Sequence, residues 1–223
     1  MKKTKDYSEI YDKNKAYSFN EALEIVKKIN KTKFDPSIEV HVRLGINTKK
    51  SDQQVRGAVS LPHGTGKTLK IAAFVSPENE KAAKDAGADF VGGDELIEEI
   101  KKTEKTDFQV AVAEVAMMRN LAKIAKILGT RGLMPSPKNE TVTPNPVKAI
   151  EELKKGKISY KNDDTGNLHA IIGKLSFEDK KLLENFQVLI ENIRKAKPNS
   201  TKGTYIKNIS IASSMSPGVK VIA

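Results

Sequence analysis

The chain has 223 residues, 38% hydrophobic and 30% charged, with no cysteine and a formal net charge of +11. This is the composition of a folded globular protein with room for one large core or two modest ones. It excludes disulfides, thiolate metal sites and cysteine nucleophiles, and no apolar run reaches the roughly 18 residues that a membrane helix needs.

The start, Met1 to Tyr7, is basic, but no apolar stretch follows, so no secretory signal is expected. Ser18-Phe19-Asn20-Glu21 is a capping box, and Ala22, Leu23, Val26 and Ile29 follow at helical spacing, which predicts an amphipathic helix over 19–30. Ile38, Val40, Val42 and Leu44 alternate with Glu39, His41 and Arg43, the pattern of a half-buried strand. The mostly apolar run Leu69–Val75 predicts a strand covered on both faces. A helix over Pro77–Ala86, a short strand at Asp89–Val91, a helix over Glu95–Lys102, a strand over Phe108–Ala113 and a helix over Val115–Leu128 follow. Strands alternating with helices imply a small parallel α/β unit over roughly 65–156.

Beyond it, Lys157–Lys161 and Leu168–Ile172 flank the polar turn 162–167 and predict a hairpin. Ser176-Phe177-Glu178-Asp179 opens a long helix to about Ala196, with Leu182, Leu183, Phe186, Leu189, Ile190 and Ile193 as its apolar stripe. A strand over Gly203–Ala212 and a short Val219–Ile222 run complete an α+β set contributed by both ends.

The charge follows the same division. Residues 1–64 carry 13 Lys and Arg against 8 Asp and Glu, residues 157–223 carry 11 against 6, and residues 65–156 carry 15 against 14. Nearly all the excess lies in the two ends. That distribution suits ends that fold together around an inserted middle, and a basic domain of this kind points to a polyanionic partner.

The stretches that suggest enzymes fail on context. Gly64-Thr65-Gly66-Lys67-Thr68 resembles the end of a phosphate-binding loop, but Leu61 stands where that motif needs its first glycine, and a strand rather than a helix follows. A glycine hinge at Gly64 and Gly66, with the return crossing near Gly156, is the better reading. No Gly-x-Gly-x-x-Gly follows any strand of the middle. His41, His63 and His169 lie far apart in sequence, none at ligand spacing, so neither a metal nor a cofactor is expected. With no nucleophile elbow and no isolated carboxylate pair, the chain reads as a non-enzyme. Alternatives are a nucleotide-dependent enzyme built on the middle, which an ATP titration discriminates, and a nonspecific nucleic-acid binder. The stretch Gly129–Lys138 has two glycines, two prolines, Arg131 and Lys138. It reads as a rigid, basic, exposed loop, suited either to phosphate contact or simply to a stiff connection.

At this loop the chain resembles the family of large-subunit ribosomal protein one, in its bacterial form. The resemblance runs through Lys33-Phe34-Asp35, Glu39-Val40-His41, Ser51 to Gly57, Leu61-Pro62-His63-Gly64, and Asn162 to Gly166 with His169, Gly173 and Lys174. It implies a two-domain α/β fold: a discontinuous α+β, RNA-binding terminal domain (1–64 and 157–223) and an inserted Rossmann-like domain (65–156). It implies a structural protein of the large ribosomal subunit, cytoplasmic with the ribosome and monomeric off it. Its partners would be the side-stalk ribosomal RNA, exit-site transfer RNA whose deacylated form it helps to release, and its own operon messenger RNA, whose translation it would repress. Matched by position, Phe34, Ser37, Glu39, His169, Lys174, Ser214 and Met215 would face RNA, with Lys33 and Lys220 as phosphate partners and Ser216 in the same turn. The family usually carries Thr-Met-Gly where this chain has Ser214-Met215-Ser216, so Ser216 would hinder a close approach or a positive φ. Thr130 replaces a proline of the signature and should loosen its loop slightly.

Overall fold

The computed structural model describes Tyr7 and residues 10–222; the rest of the basic start, on which the signal reading rests, lies outside the described residues. In chain order the elements are α1 (Phe19–Ile29), β1 (Ser37–Leu44), β2 (Arg56–Ser60), β3 (Ile71–Phe74), α2 (Glu80–Asp85), β4 (Phe90–Gly92), α3 (Asp94–Thr103) and β5 (Val110–Ala113). Then come α4 (Met118–Leu121), α5 (Ala125–Thr130), α6 (Pro146–Lys154), β6 (Lys157–Lys161), β7 (Asn167–Lys174), α7 (Asp179–Lys195), β8 (Ile206–Ser213) and β9 (Val219–Val221). The chain divides into two compact units, one of Met1–Gly66 with Tyr160–Ala223 and one of Lys67–Ser159.

The first unit is built on a four-stranded sheet in the order β7-β1-β8-β9. Each neighbouring pair is antiparallel. Period-two patterning decides its two faces. Ile38, Val40 and Val42 of β1, Leu168 and Ile172 of β7, Ile209 and Ile211 of β8, and Val219 and Val221 of β9 are all buried. Over that apolar face α1 packs on β8 and β9, α7 packs on β7, and the helices meet each other. The Phe19 and Phe186 rings touch at a centroid distance of 4.6 Å. The start of α1 is set by the expected capping box: Ser18 accepts from the Glu21 N–H while the Glu21 carboxylate accepts from the Ser18 N–H.

The second unit has a three-stranded parallel sheet, β4-β3-β5. Its central strand β3 is buried throughout. Alternate residues of that strand feed two separate cores. Ala72 and Phe74 join Ile97, Ile100, Phe108, Leu121, Ile124 and Leu128 on one side. Ile71 and Ala73 join Ala83, Val112, Ala149, Ile150 and Leu153 on the other. A strand covered on both faces is what the unbroken apolar run at 69–75 predicts.

Several elements differ from expectation. The helix expected over Val115–Leu128 is a series of short pieces: 3-10 turns at Val115–Met117 and Ala122–Ile124 alternate with α4 and α5. The stripe Met117, Leu121, Ile124 and Leu128 is nonetheless buried as a helical face would be. No proline or glycine lies in that stretch, and nothing in the sequence accounts for the breaks. The first helix of this unit is confined to Glu80–Asp85 rather than running from Pro77. In the terminal unit α7 begins at Asp179, because Ser176 is engaged elsewhere: its N–H and hydroxyl both donate to the Asp35 carboxylate, at 3.1 and 2.8 Å.

The expected hairpin is also replaced. β7 pairs with β1, and β6 pairs with β2 in a separate two-stranded ribbon; a single bridge, Asn162 to Leu168, links the two supposed hairpin arms. Asn162 steers the chain. Its N–H donates to the Val55 carbonyl at 3.0 Å and its side-chain oxygen accepts the Val55 N–H at 2.7 Å. Both bonds turn β6 toward the strand that follows Val55.

Candidate nucleic-acid interface

The loop between α1 and β1, the end of β7 and the turn between β8 and β9 converge at one end of the four-stranded sheet. The register opposes Ser37 to Lys174 on one side and Ile38 to Ser213 on the other. Backbone bonds tie the three segments together: Ser214 N–H donates to the Ser37 carbonyl at 3.0 Å, and Leu175 N–H to the Pro36 carbonyl at 2.9 Å. The Lys174 ammonium donates to the Asp35 carbonyl at 3.2 Å. Lys33, Phe34, Ser37, Lys174, Ser214, Met215 and Ser216, far apart in sequence, therefore share one end of the sheet.

Two apolar side chains stand out of that end. Phe34 is 56% exposed and Met215 is 91% exposed. Met215 also has φ +67°, one of three non-glycine residues with positive φ among the described residues. A methionine held in the left-handed region without packing against the core costs free energy that the fold does not recover there.

The backbone part of the Ser216 expectation is decided by this turn. Ser216 does not take a positive φ; Met215 does. The Ser216 hydroxyl closes the turn, accepting the Ser213 N–H at 2.9 Å and lying 3.1 Å from the Ser213 carbonyl as donor. A glycine could make neither bond. Thr130 ends α5, where its hydroxyl lies 3.1 Å from both the Lys126 and the Ile127 carbonyl as donor.

The remaining positions lie on the helix-free face of the sheet. Glu39 stands one row in from the sheet end, opposite Ile171 and Ala212. The next row runs His169, His41, Ser210 and Lys220 across all four strands. His41, Arg43, Asn208 and Ser210 belong to this face and were not among the expected contacts, although the alternation of β1 already placed His41 and Arg43 beside Glu39. The histidines are a correction: His41 and His169 are 128 positions apart, yet their Nδ1 atoms lie 2.7 Å from each other. Burial, and then the neighbouring His169, push the His41 imidazole below its usual value, with Glu39 opposing.

Arg131 and Lys138 belong to the other unit. Both are exposed; the Arg131 guanidinium donates to the Thr106 hydroxyl, and Lys138 lies in a 3-10 turn, Pro137–Asn139, capped by Ser136. The three glycines expected as hinges all have positive φ: +63° at Gly64, +68° at Gly66 and +106° at Gly156. Gly156 follows the end of α6 as a helix stop, and no helix follows Lys67-Thr68, which lead to β3 instead.

The turn after β6 has its own electrostatics. The Asp163 carboxylate accepts the Asn167 N–H at 2.7 Å, the Thr165 N–H at 2.9 Å and the Thr165 hydroxyl at 2.8 Å. These bonds, that of the Asn167 N–H foremost, hold its pKa at about 2. The folded value is thus below the ordinary 3.8, so the ionised carboxylate favours the fold above that pH and its contribution fades as pH falls through about 2. Urea midpoints measured between about pH 4 and about pH 2 should fall more steeply for the wild type than for Asp163→Asn. Parallel slopes would show that the turn carries no such linkage.

With this geometry in hand, the comparisons with known proteins agree on one family. The family described as "Ribosomal protein L1p/L10e family" matches residues 26–217. The chain is also 50% identical to the large ribosomal subunit protein uL1 of Kosmotoga olearia, over 99% of this chain and 96% of that protein. The match spans the loop with Phe34, all of β1, β7 and β8, and the turn with Met215, so the chain belongs to the ribosomal protein L1p/L10e family.

Proposed function

We propose that this chain is a structural protein of the large ribosomal subunit that binds side-stalk ribosomal RNA with the sheet end carrying Phe34, Ser37, Lys174, Ser214, Met215 and Ser216. Membership of a ribosomal protein family supports the subunit and excludes an enzyme. The RNA face rests on one observation above all. An uncovered methionine, 91% exposed, is held in a left-handed conformation between Ser214 and Ser216, in a turn bonded to the Ser37 backbone that the register opposes to Lys174. Structured RNA is read by shape, phosphate and 2′-hydroxyl contacts, and such a surface of small polar groups with a few apolar projections can press close to a sugar–phosphate backbone. Glu39 and the His169 to Lys220 row extend the surface across the open sheet, with Lys33 and Lys220 as phosphate partners.

On this reading Met1–Gly66 with Tyr160–Ala223 is the RNA-binding domain, and Lys67–Ser159 is a Rossmann-like insertion joined through Gly64, Gly66 and Gly156. Arg131 and Lys138 give that insertion a secondary basic loop. The same RNA face would take a similarly shaped element in the protein's own messenger RNA, repressing translation, and the protein would act in release of deacylated transfer RNA from the exit site. It works with the ribosome in the cytoplasm and is a monomer when free.

Binding of stalk RNA and of a scrambled duplex, measured across a salt series, tests the reading. Specific recognition predicts that stalk binding persists at salt concentrations where the duplex is released, because counterion release alone weakens both together. Equal affinities falling in parallel would reduce the protein to a nonspecific basic binder.

A further inference from the structure

We infer that His41 and His169 form a two-histidine binding site for a borderline divalent transition metal of the zinc class. The two residues are directly opposed in the register of β1 and β7. Both side chains rise from the helix-free face, since Val40, Val42, Leu168 and Ala170 on either side of them point into the core. Their imidazoles meet edge to face, with ring centroids 4.9 Å apart and planes at 66°. Two nitrogens of the ligand type preferred by zinc, nickel and copper ions thus lie side by side above a sheet whose strands fix their spacing.

The fit is close. Tetrahedral zinc with bonds of about 2.0–2.1 Å to imidazole nitrogen sets two such nitrogens about 3.3 Å apart. The Nδ1 atoms stand 2.7 Å apart. Opening that contact by about 0.6 Å takes only small side-chain rotations at solvent-facing positions.

The other nitrogen of His169 has a carboxylate near it, beyond direct hydrogen-bond distance. Its Nε2 lies 3.7 Å from the Asp163 Oδ2. Asp163 is itself fixed by the Asn167 and Thr165 bonds, so its carboxylate is an immobile acceptor. A carboxylate at that distance favours a proton on Nε2 electrostatically, which leaves the Nδ1 lone pair free for a metal. Lys220, at the far end of the same row, is separated from His41 by Ser210, and Glu39 is the acidic neighbour along β1.

Among the described residues no group of three or more potential ligands gathers anywhere. The chain therefore supplies two nitrogens, and water or a bound anion completes the coordination. This predicts an exchangeable site of micromolar strength rather than a structural zinc. Magnesium and calcium, which take oxygen ligands, should not occupy it. An occupied site would place a divalent charge on the open face of the sheet.

Titration of Zn²⁺ into the full-length protein by calorimetry, in a non-chelating buffer near neutral pH, tests the site. One zinc per chain is expected. His41→Gln and His169→Gln should each weaken binding at least about tenfold, and Asp163→Asn by a smaller factor through loss of the neighbouring negative charge. His63→Gln should leave it unchanged, as His63 pairs with Glu184 apart from this row. Histidine ring resonances of the wild type should shift for His41 and His169 on zinc addition and stay in place with Mg²⁺. His169 is exposed and His41 is half-buried on the open face of the sheet, so circular dichroism should report an unaltered fold. Absence of binding at millimolar zinc, or binding that survives either histidine substitution, would overturn the assignment.

Discussion

Asn185→Ala should destabilise the protein by about 2–4 kcal/mol, because one buried carbonyl and two half-buried backbone groups lose the partner this side chain supplies. Asn185 lies on α7 and has no solvent exposure. Its side-chain oxygen accepts the His63 N–H at 3.2 Å, and its amide donates to the Gly64 carbonyl at 3.0 Å and the Ile172 carbonyl at 2.7 Å. One residue thus joins α7, β7 and the segment that follows β2. An orphaned buried group costs about 1–3 kcal/mol, and the small cavity adds to that. Asn185→Leu separates the two causes: it restores volume but supplies no donor or acceptor. Urea unfolding should show the leucine variant nearly as weak as the alanine one. Recovery to wild-type stability would mean that volume, and not the hydrogen bonds, matters at this position.

Asn185 also shows where sequence reading stops. It sits among Leu182, Phe186 and Leu189, the stripe that predicted α7, and a polar residue there carries no local sign of what it binds. The periodic elements were legible because their signals are local: Ser18 and Glu21 cap α1, and Ile38, Val40, Val42 and Leu44 mark β1. Two elements were missed despite available cues. Asn145-Pro146 is a helix start, with Asn145 accepting the Lys148 N–H and proline in the first turn, and it opens α6. Arg56–Ser60 shows only weak alternation and becomes β2 through pairing with β6.

Pairing itself was the least legible property. A polar turn at 162–167 suggests a hairpin, yet Asn162 commits its backbone and side chain to Val55, more than a hundred residues earlier. The same non-locality hid the His41–His169 contact, which exists because β7 returns beside β1. The candidate interface was reached through a resemblance, since no spacing rule relates Phe34, Lys174 and Ser214. Its shape came from register: Ser37 is opposed to Lys174 in one pair of strands, and Ile38 to Ser213 in the other.

Met215→Asp should weaken stalk RNA binding by at least tenfold, about 1.4 kcal/mol, while leaving thermal stability at or slightly above the wild-type value. The stability half of this expectation follows from the backbone. Met215 buries almost nothing, being 91% exposed, so removing its side chain gives up no core packing. Its φ of +67° is a conformation that aspartate tolerates better than methionine, so the substitution relieves strain at the turn. The affinity half follows from charge and contact: a carboxylate at the tip meets phosphate oxygens with repulsion and loses the apolar contact that an exposed thioether can make with a ribose or base. Met215→Leu keeps an apolar tip and should stay within a fewfold of wild type, whereas Met215→Gly, which also relaxes the turn, should lose affinity without adding charge. Filter binding or calorimetry on the three variants ranks leucine above glycine and glycine above aspartate. Unchanged affinity in the aspartate variant would remove the sheet end from the RNA face, because a folded, unstrained turn leaves no other route by which the substitution could be silent.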